Sequence, residues 1–153
     1  MKLMIDTSNY RETRPLLDLS EDETIPLEFP FGIPGFESIH AFRLLKLIDY
    51  RPFVLLEAVD DSRITLLLVN LQYLKSRAAI QISRVDLLSV GCRPTEAAEI
   101  YVILKIDQET GLFTANLRAP LVINENSGTG RQVILDDKSL PVAHPLILLA
   151  NQE

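Results

Sequence analysis

Tryptophan is absent from this chain of 153 residues, aromatic residues make up only 7% of it, and it contains a single cysteine. Leucine, isoleucine and valine must therefore supply most of the hydrophobic core. Cys92 has no second cysteine with which to form a disulfide, which is compatible with a reducing compartment. No stretch approaches the ~20 consecutive apolar residues of a membrane-spanning helix, and Asp6 interrupts the N-terminus before an apolar run of signal-peptide length develops. The sequence predicts a soluble, cytoplasmic protein.

Positive charge is also scarce, because 15 Lys and Arg residues face 21 Asp and Glu residues and give a net charge of −6. Such a chain is repelled by nucleic-acid phosphate and attracted to basic partners. Lys75 and Arg77 form a small basic cluster, but it lacks the interleaved aromatic residues on which single-stranded bases stack. We therefore expect no direct binding to RNA or DNA.

The length fits one domain, and 47% apolar residues are typical of a globular protein. The N-terminal segment differs from the rest in its excess of acids and its lack of periodicity. Its charged residues are the acids Asp6, Glu12, Asp18, Glu21, Asp22 and Glu23 and the bases Lys2, Arg11 and Arg14. We predict an acidic, partly flexible lead-in over residues 1–24, with a short strand at residues 2–6, followed by a single β-rich domain over residues 25–150.

Short apolar runs separated by turn residues indicate that this domain is built of strands. Residues 53–59 and 64–69 flank a four-residue polar loop and predict a hairpin. The second run does not alternate, so we expect it to be buried on both faces. Residues 100–106 and 112–118 predict a second hairpin, with Gly111 at a positive φ.

One helix and two further strands complete the predicted elements. Ser83, followed by an acid three residues later, resembles a capping box, and Gly91 suits the position after a helix over residues 84–90. Strands are predicted at residues 121–124 and 131–135. The pattern favours a mainly β, small barrel- or sandwich-like antiparallel domain with one or two short helices.

Candidate catalytic and metal-binding residues are few. The pairs Asp60–Asp61 and Asp136–Asp137 suit turns, since aspartate side chains accept hydrogen bonds from nearby backbone N–H groups. His40, His144 and Cys92 are far apart in sequence and lack the close ligand pairs of a zinc site. We expect Cys92 to be a buried apolar residue and expect no catalytic residue, cofactor or metal. A small metal-dependent hydrolase using the aspartate pairs is the alternative, and a structural module that self-associates is a third interpretation.

Three stretches of the sequence resemble the flagellar assembly factor (FliW) family. FPFGIPGF (residues 29–36) is similar to the family pattern F-P-x-G-[IL]-x-G-F, and LLEAVDD (residues 55–61) is similar to L-Q-x-[LV]-D-D. NLRAPLVIN (residues 116–124) and GRQVILDD (residues 130–137) are similar to N-L-x-A-P-[IL]-V-[IV]-N followed by a short loop and G-x-Q-[VI]-[VI]-L. The stretches occur in the family's order.

The resemblance implies a barrel-like fold and a protein that acts by binding, without a cofactor. Members of the family bind CsrA, a basic dimer that represses translation of flagellin mRNA, and stop it from gripping RNA. They also bind flagellin, which competes for them. The resemblance therefore implies a non-catalytic flagellar assembly factor with a CsrA-type RNA-binding regulator and flagellin as partners, monomeric when free and without direct contact to nucleic acid or membrane.

This chain departs from the family pattern at several positions that bear on its partner surface. Phe31 stands where an acid is often found, Glu57 stands at the usual Gln position, and Leu140 replaces a frequent aromatic residue. The segment 70–77 carries Lys75 and Arg77 where the family commonly has Pro, Phe and acids.

Partner contact is predicted for polar residues of the third stretch. They are Asn116, Arg118, Asn124, Arg131 and Gln132. Alternation along residues 112–118 would place Asn116 and Arg118 on the face opposite the apolar side chains. Guanidinium groups reach far and suit carboxylate partners. In the alternative interpretation the asparagine amides satisfy backbone groups beside a proline break, and the interface lies around residues 70–82.

Overall fold

The structure is a computed structural model and describes residues 22–75, 80–93, 96 and 98–149. The strands are β1 (Glu23–Glu28), β2 (Ala41–Lys46), β3 (Phe53–Ala58), β4 (Thr65–Asn70), β5 (Glu99–Ile106), β6 (Phe113–Ala115), β7 (Leu121–Asn124), β8 (Thr129–Gln132) and β9 (His144–Pro145). One α-helix, α1 (Arg84–Ser89), and two 3-10 helices, Ile48–Tyr50 and Leu71–Tyr73, accompany them in the described residues. None of the described helices is long and apolar enough to cross a membrane. Most of the predicted lead-in, including the predicted strand at residues 2–6, lies outside the described residues.

Seven strands close into a barrel, which confirms the predicted mainly β, barrel-like fold. They are hydrogen-bonded in the order β4-β3-β2-β1-β8-β7-β5, and β4 also pairs with β5. All of these pairs are antiparallel except β1–β8, which is parallel and meets at Glu28 and Thr129. The predicted antiparallel pairing is therefore observed at six of the seven contacts of the ring, and the β1–β8 pair is the exception. A ring with an odd number of strands cannot alternate direction all the way round, so one pair has to be parallel.

The barrel interior is filled by alternate side chains from six of the seven strands. Its cluster includes Leu27, Phe42, Leu44, Leu56, Leu68, Ile103, Leu121 and Ile123, joined by Phe29 from the loop after β1. Phe29 is fully buried and packs edge-on against Phe42, with ring centroids 5.2 Å apart. β8 contributes Gly130, where a Cβ would lie 2.5 Å from Phe29 Cζ. The glycine therefore leaves the space that the aromatic ring occupies.

Two further clusters lie on the outer side of the strands. The larger contains Leu67, Val69, Val102 and Leu104 and is covered by the 3-10 helix at Leu71–Tyr73 and by residues 146–148. The smaller joins Val90, Cys92, Val122 and Val133 beneath α1. All six residues of β4 are buried because this strand contributes to both the interior and the outer cluster. The prediction that this strand is buried on both faces is confirmed.

The predicted helix is confirmed, although it is one turn and a half long. Ser83 caps it, since its Oγ accepts a hydrogen bond from the backbone N–H of Asp86 at 3.1 Å. Gly91 follows with φ of +80°. The helix is too short to be stable alone and is held by the packing of its inner face on the smaller outer cluster.

Both predicted hairpins are present, but two strands have other bounds than predicted. The strand predicted at 131–135 is β8 (Thr129–Gln132), because a tight turn with Gly128 at φ +69° lets Thr129 pair with Asn124 at once. The strand predicted at 112–118 ends at Ala115. The chain turns there because the side chain of Asn116 accepts two backbone hydrogen bonds.

The segment 29–36 forms turns over one end of the barrel. Gly32 and Gly35 have φ of +66° and +92°. At Gly32 a Cβ would lie 2.6 Å from the backbone oxygen of Glu37, so the turn is closed too tightly for any other residue.

Candidate partner-binding surface

Both asparagines predicted to contact a partner bind the protein's own backbone. Asn116 Oδ1 accepts the N–H groups of Arg118 at 3.1 Å and Ala119 at 3.2 Å. Asn124 is buried, and its Nδ2 donates to the carbonyl of Val90 at 3.0 Å while its Oδ1 accepts two N–H groups of the following turn. These bonds fix the loop before β7 and the packing of α1. They are the geometry of the alternative interpretation, in which the amides satisfy backbone groups.

The side chain of Arg118 also binds the protein's own backbone. Its Nε donates to the carbonyl of Leu140 and its Nη2 to the carbonyl of Lys138, each at 2.8 Å. Alternation does not extend to Arg118, because β6 has already ended, so the side chain is half-buried instead of pointing away from the core. The guanidinium group ties the segment 138–140 to the barrel.

Arg131 is placed differently, on the outer surface beside α1. Its guanidinium carbon lies 4.6 Å from the centroid of the Phe31 ring, and its Nη1 lies 3.9 Å from Asp86 Oδ1. Phe31 is 64% exposed, so the ring is held against a cation rather than in the core. Phe31 and Arg131 thus form an aromatic and cationic spot in which this chain has Phe at a position where the family often has an acid.

A groove lies at the end of the barrel where β5 and β8 end and β7 begins. Its volume is about 290 Å³. Its apolar lining comes from Pro34, Ile103, Ala119, Ile134 and Val142. Its polar lining comes from Lys105, Asn116 and Gln132. We call this set of eight residues the mouth groove.

Two of the predicted residues, Asn116 and Gln132, therefore meet in one place. Gln132 Nε2 donates to the carbonyl of Ala119 at 3.0 Å, which joins the two sides of the mouth groove. Arg118 supports one wall through its bonds to residues 138 and 140. Asn124 belongs to the opposite end of β7, so the structure does not bring all five residues together. Their partner contacts stay a prediction.

Sequence reasoning missed the exposed apolar side chains of this surface. Ile134 is 66% exposed and Val142 51% exposed, and both line the mouth groove. Ile134 stands in the apolar run VIL, which reads as core, so nothing in the local pattern marks it as exposed. Val142 follows a proline in an irregular segment. The departures from the family pattern pointed to an altered surface but did not include Ile134 or Val142.

The candidate catalytic residues occupy turns. Asp61 Oδ1 accepts the backbone N–H of Arg63 at 3.1 Å, and hydrogen bonds from the Arg63 side chain hold the pKa of Asp61 below its usual value. Asp137 Oδ1 accepts the hydroxyl of Ser139 at 2.6 Å and its N–H at 2.9 Å, which lower the pKa of Asp137. The predicted turn role of both aspartate pairs is confirmed for these two members.

The remaining candidates do not form a site among the described residues. Cys92 is buried, as predicted, and burial, followed by the charge of Glu96, raises the pKa of its thiol. His40 Nε2 lies 3.0 Å from the carbonyl of Glu37, and buried His144 Nε2 has no hydrogen-bond partner in the part of the chain that the structure describes. Within the described ranges no three His, Cys, Asp or Glu side chains are arranged to hold a metal ion.

Comparison with known proteins agrees with the three motif stretches and their order. The sequence model of the family described as FliW protein matches residues 12–146. The chain belongs to the FliW family. It is 33% identical over 141 residues to the flagellar assembly factor FliW of Thermosipho africanus, covering 90% of this chain and 94% of that protein. It is 31% identical over 148 residues to the flagellar assembly factor FliW of Thermoanaerobacter pseudethanolicus, covering 95% and 93%.

The fold agrees as well. A crystal structure of the flagellar assembly factor FliW matches with a TM-score of 0.68 and 31% sequence identity, covering 80% of this chain and 85% of that chain. The resemblance seen in the sequence is therefore confirmed. The three FliW motif stretches all contribute to the barrel: residues 29–36 fill and cover its mouth, residues 55–58 lie in β3, and residues 116–137 contain β7 and β8.

Proposed function

We propose that this FliW-family protein is a cytoplasmic, non-catalytic flagellar assembly factor that binds a CsrA-type regulator and prevents it from gripping flagellin mRNA. Flagellin is the second partner, and it competes with the regulator for the protein. The observation that carries the proposal is the family match over residues 12–146, which contains all three motif stretches in order.

The geometry fits binding better than catalysis. One aspartate of each pair that the hydrolase alternative would use is engaged in a turn, Asp61 with Arg63 and Asp137 with Ser139. The surface instead offers what protein interfaces use: exposed apolar side chains, an aromatic ring with a cation above it, and polar groups at the rim. An enzyme would need an acid, a base or a metal poised around a reacting atom.

Charge is a second support. The net charge of −6 favours association with a basic partner and speeds diffusional encounter. The on-rate for the regulator should therefore fall as the Debye length shrinks from about 30 to about 8 Å with rising salt. An on-rate indifferent to salt over that range would remove electrostatic steering from the proposal.

The deciding experiment is a competition assay with three purified proteins. Binding of this protein to the CsrA-type regulator is measured first, then release of a labelled flagellin mRNA leader from the regulator, then reversal of that release by flagellin. The proposal expects all three. The proposal would be overturned if the regulator stayed bound to the RNA at saturating concentrations of this protein.

Two controls separate the alternatives in the same preparation. A divalent metal that bound only the folded protein would raise the thermal midpoint as its concentration passed Kd, and this is expected of the hydrolase alternative. Light scattering would reveal stable self-association, which is expected of a structural module. The proposal expects neither result.

A further inference from the structure

Each of the two amide side chains that line the mouth groove has one polar atom with no hydrogen-bond partner among the described residues. Asn116 Oδ1 and Gln132 Nε2 bind backbone groups of the protein, as described above. No described residue accepts from Asn116 Nδ2 or donates to Gln132 Oε1. The groove therefore presents one donor and one acceptor, which is the complement of the acceptor and donor that a backbone peptide group carries.

Lys105 gives the same groove a positive charge with no ion partner among the described residues. It is half-buried, and no carboxylate of the described residues lies within ion-pair distance of it, although the chain has more acids than bases. Thr114 stands opposite Lys105 across β5 and β6, and its buried Oγ1 has no hydrogen-bond partner among the described residues. An ammonium group on an apolar surface favours a carboxylate on whatever binds there.

The apolar lining adds a third requirement. Ile103 forms a floor that is only 8% exposed, while the side walls from Ile134 and Val142 are left largely in solvent. The volume of about 290 Å³ is at the small end for ligand pockets and suits side chains rather than a cofactor. A ligand that covers Ile134 and Val142 gains the free energy of removing their apolar surface from water.

We propose that the mouth groove binds an extended, acidic peptide segment of a protein partner. An apolar side chain of the segment lies between Ile134 and Val142, its backbone pairs with Asn116 and Gln132, and an Asp or Glu side chain pairs with Lys105. The segment is extended because a helix has already used the backbone groups that the two amides would bind. The inference goes beyond the proposed function, since it assigns a ligand chemistry to one groove and can be tested without CsrA or flagellin.

The probe is the hexapeptide Leu-Leu-Glu-Leu-Glu-Glu with an acetylated N-terminus and an amidated C-terminus. The control is the basic peptide in which Lys replaces each Glu. Each is titrated into the uniformly ¹⁵N-labelled full chain, with amide shifts followed by NMR. We expect saturable shifts around residues 103–105, 116–119 and 132–134 with the acidic peptide, and at least about tenfold weaker binding of the basic one. Shifts that are absent, unsaturable or confined to other surfaces would overturn the proposal, and so would equal binding of both peptides.

Matched variants test the separate contacts. Ile134→Ser should weaken the acidic peptide about tenfold, whereas Leu112→Ser, which removes a side chain of the same 66% exposure outside the groove, should not. Lys105→Glu should reverse the preference between the two peptides. Because all three side chains are partly or largely exposed, thermal melting should stay normal. Equal effects of Ile134→Ser and Leu112→Ser, or an unchanged preference in Lys105→Glu, would contradict the assignment.

Discussion

The two ends of the barrel differ in whether a lysine there has a carboxylate partner among the described residues. At one end, Lys46 Nζ lies 3.0 and 2.9 Å from the two carboxylate oxygens of Glu125, and the hydroxyl of buried Tyr101 lies 3.5 Å from the same carboxylate. We call this the sealed end. At the mouth groove, Lys105 has no carboxylate partner among the described residues. The lysine charge is paired with a carboxylate at the first end, and no carboxylate of the described residues pairs with it at the second.

Disturbing the interior between the two ends should have the largest effect. Gly130→Ala would place a Cβ 2.5 Å from Phe29 Cζ, and the ring cannot retreat because Phe42 backs it. We expect a loss of unfolding free energy of about 1–3 kcal/mol, measured by urea denaturation. Gly111→Ala is the control: no atom lies within 4 Å of its Cβ position, so only the strain of φ +73° remains. A Gly130→Ala protein as stable as the wild type would contradict the packing of Phe29.

Arg118→Ala should have the next largest effect, because it removes two hydrogen bonds to the carbonyls of Leu140 and Lys138. We expect a loss of about 2 kcal/mol, since these bonds involve a charged donor. Arg131→Ala makes the same chemical change on the outer surface and should alter stability by less than about 0.5 kcal/mol. Equal losses of unfolding free energy in both variants would contradict the assignment of a structural role to Arg118 alone. Binding assays of both variants then test the predicted partner contacts.

The contribution of the sealed end to the stability of the protein should decrease at alkaline pH. Burial, and after it the charge of Glu125, raises the pKa of Tyr101. The folded protein therefore keeps this hydroxyl protonated where an unfolded tyrosine, with a pKa of about 10, has ionised. This contribution to stability is complete below about pH 10 and is lost as the pH rises further. In Tyr101→Phe the fall in stability above that pH should be shallower than in the wild type, and an identical slope would contradict the role of Tyr101.

The smallest effect is expected at the rim, where Phe31→Asp restores the acid often found in the family. The carboxylate would face Arg131, whose guanidinium carbon lies 4.6 Å from the present ring centroid. An exposed pair of this kind contributes less than about 1 kcal/mol, and added salt should remove the gain. Thermal melts at low and high salt, repeated with Arg131→Gln, measure it. A gain that persists in the Arg131→Gln background would have another cause.

Local patterns predicted much of the fold. Both hairpins, the burial of β4 on two faces, the Ser83 cap and the positive φ of Gly111 depend on residues close together in the sequence. Such features are decided by turn chemistry and by the period of the apolar residues, which the chain carries locally. The ends of the strands were predicted less accurately than their existence. The end of β6 depended on the bonds of Asn116, which alternation does not take into account.

The candidate site was predictable only in part. Asn116 and Gln132 do meet at the mouth groove, but Arg118 and Asn124 bind carbonyl groups 22 and 34 residues away in the chain. No spacing rule reports such pairings. The exposure of Ile134 could not be read from the sequence either, because an isoleucine in an apolar run is usually buried.

The sequence by itself determined that this is a mainly β protein of the FliW family, because strand periodicity, turn residues and the three motif stretches are local properties. Tertiary structure alone decided that β1 meets β8 in parallel, that Gly130 makes room for Phe29, and that Lys46 has a carboxylate partner while Lys105 has none among the described residues. These outcomes depend on which distant side chains share a space after the barrel closes. The closed ring brings the carboxylate of Glu125 within reach of Lys46 and no carboxylate of the described residues within reach of Lys105.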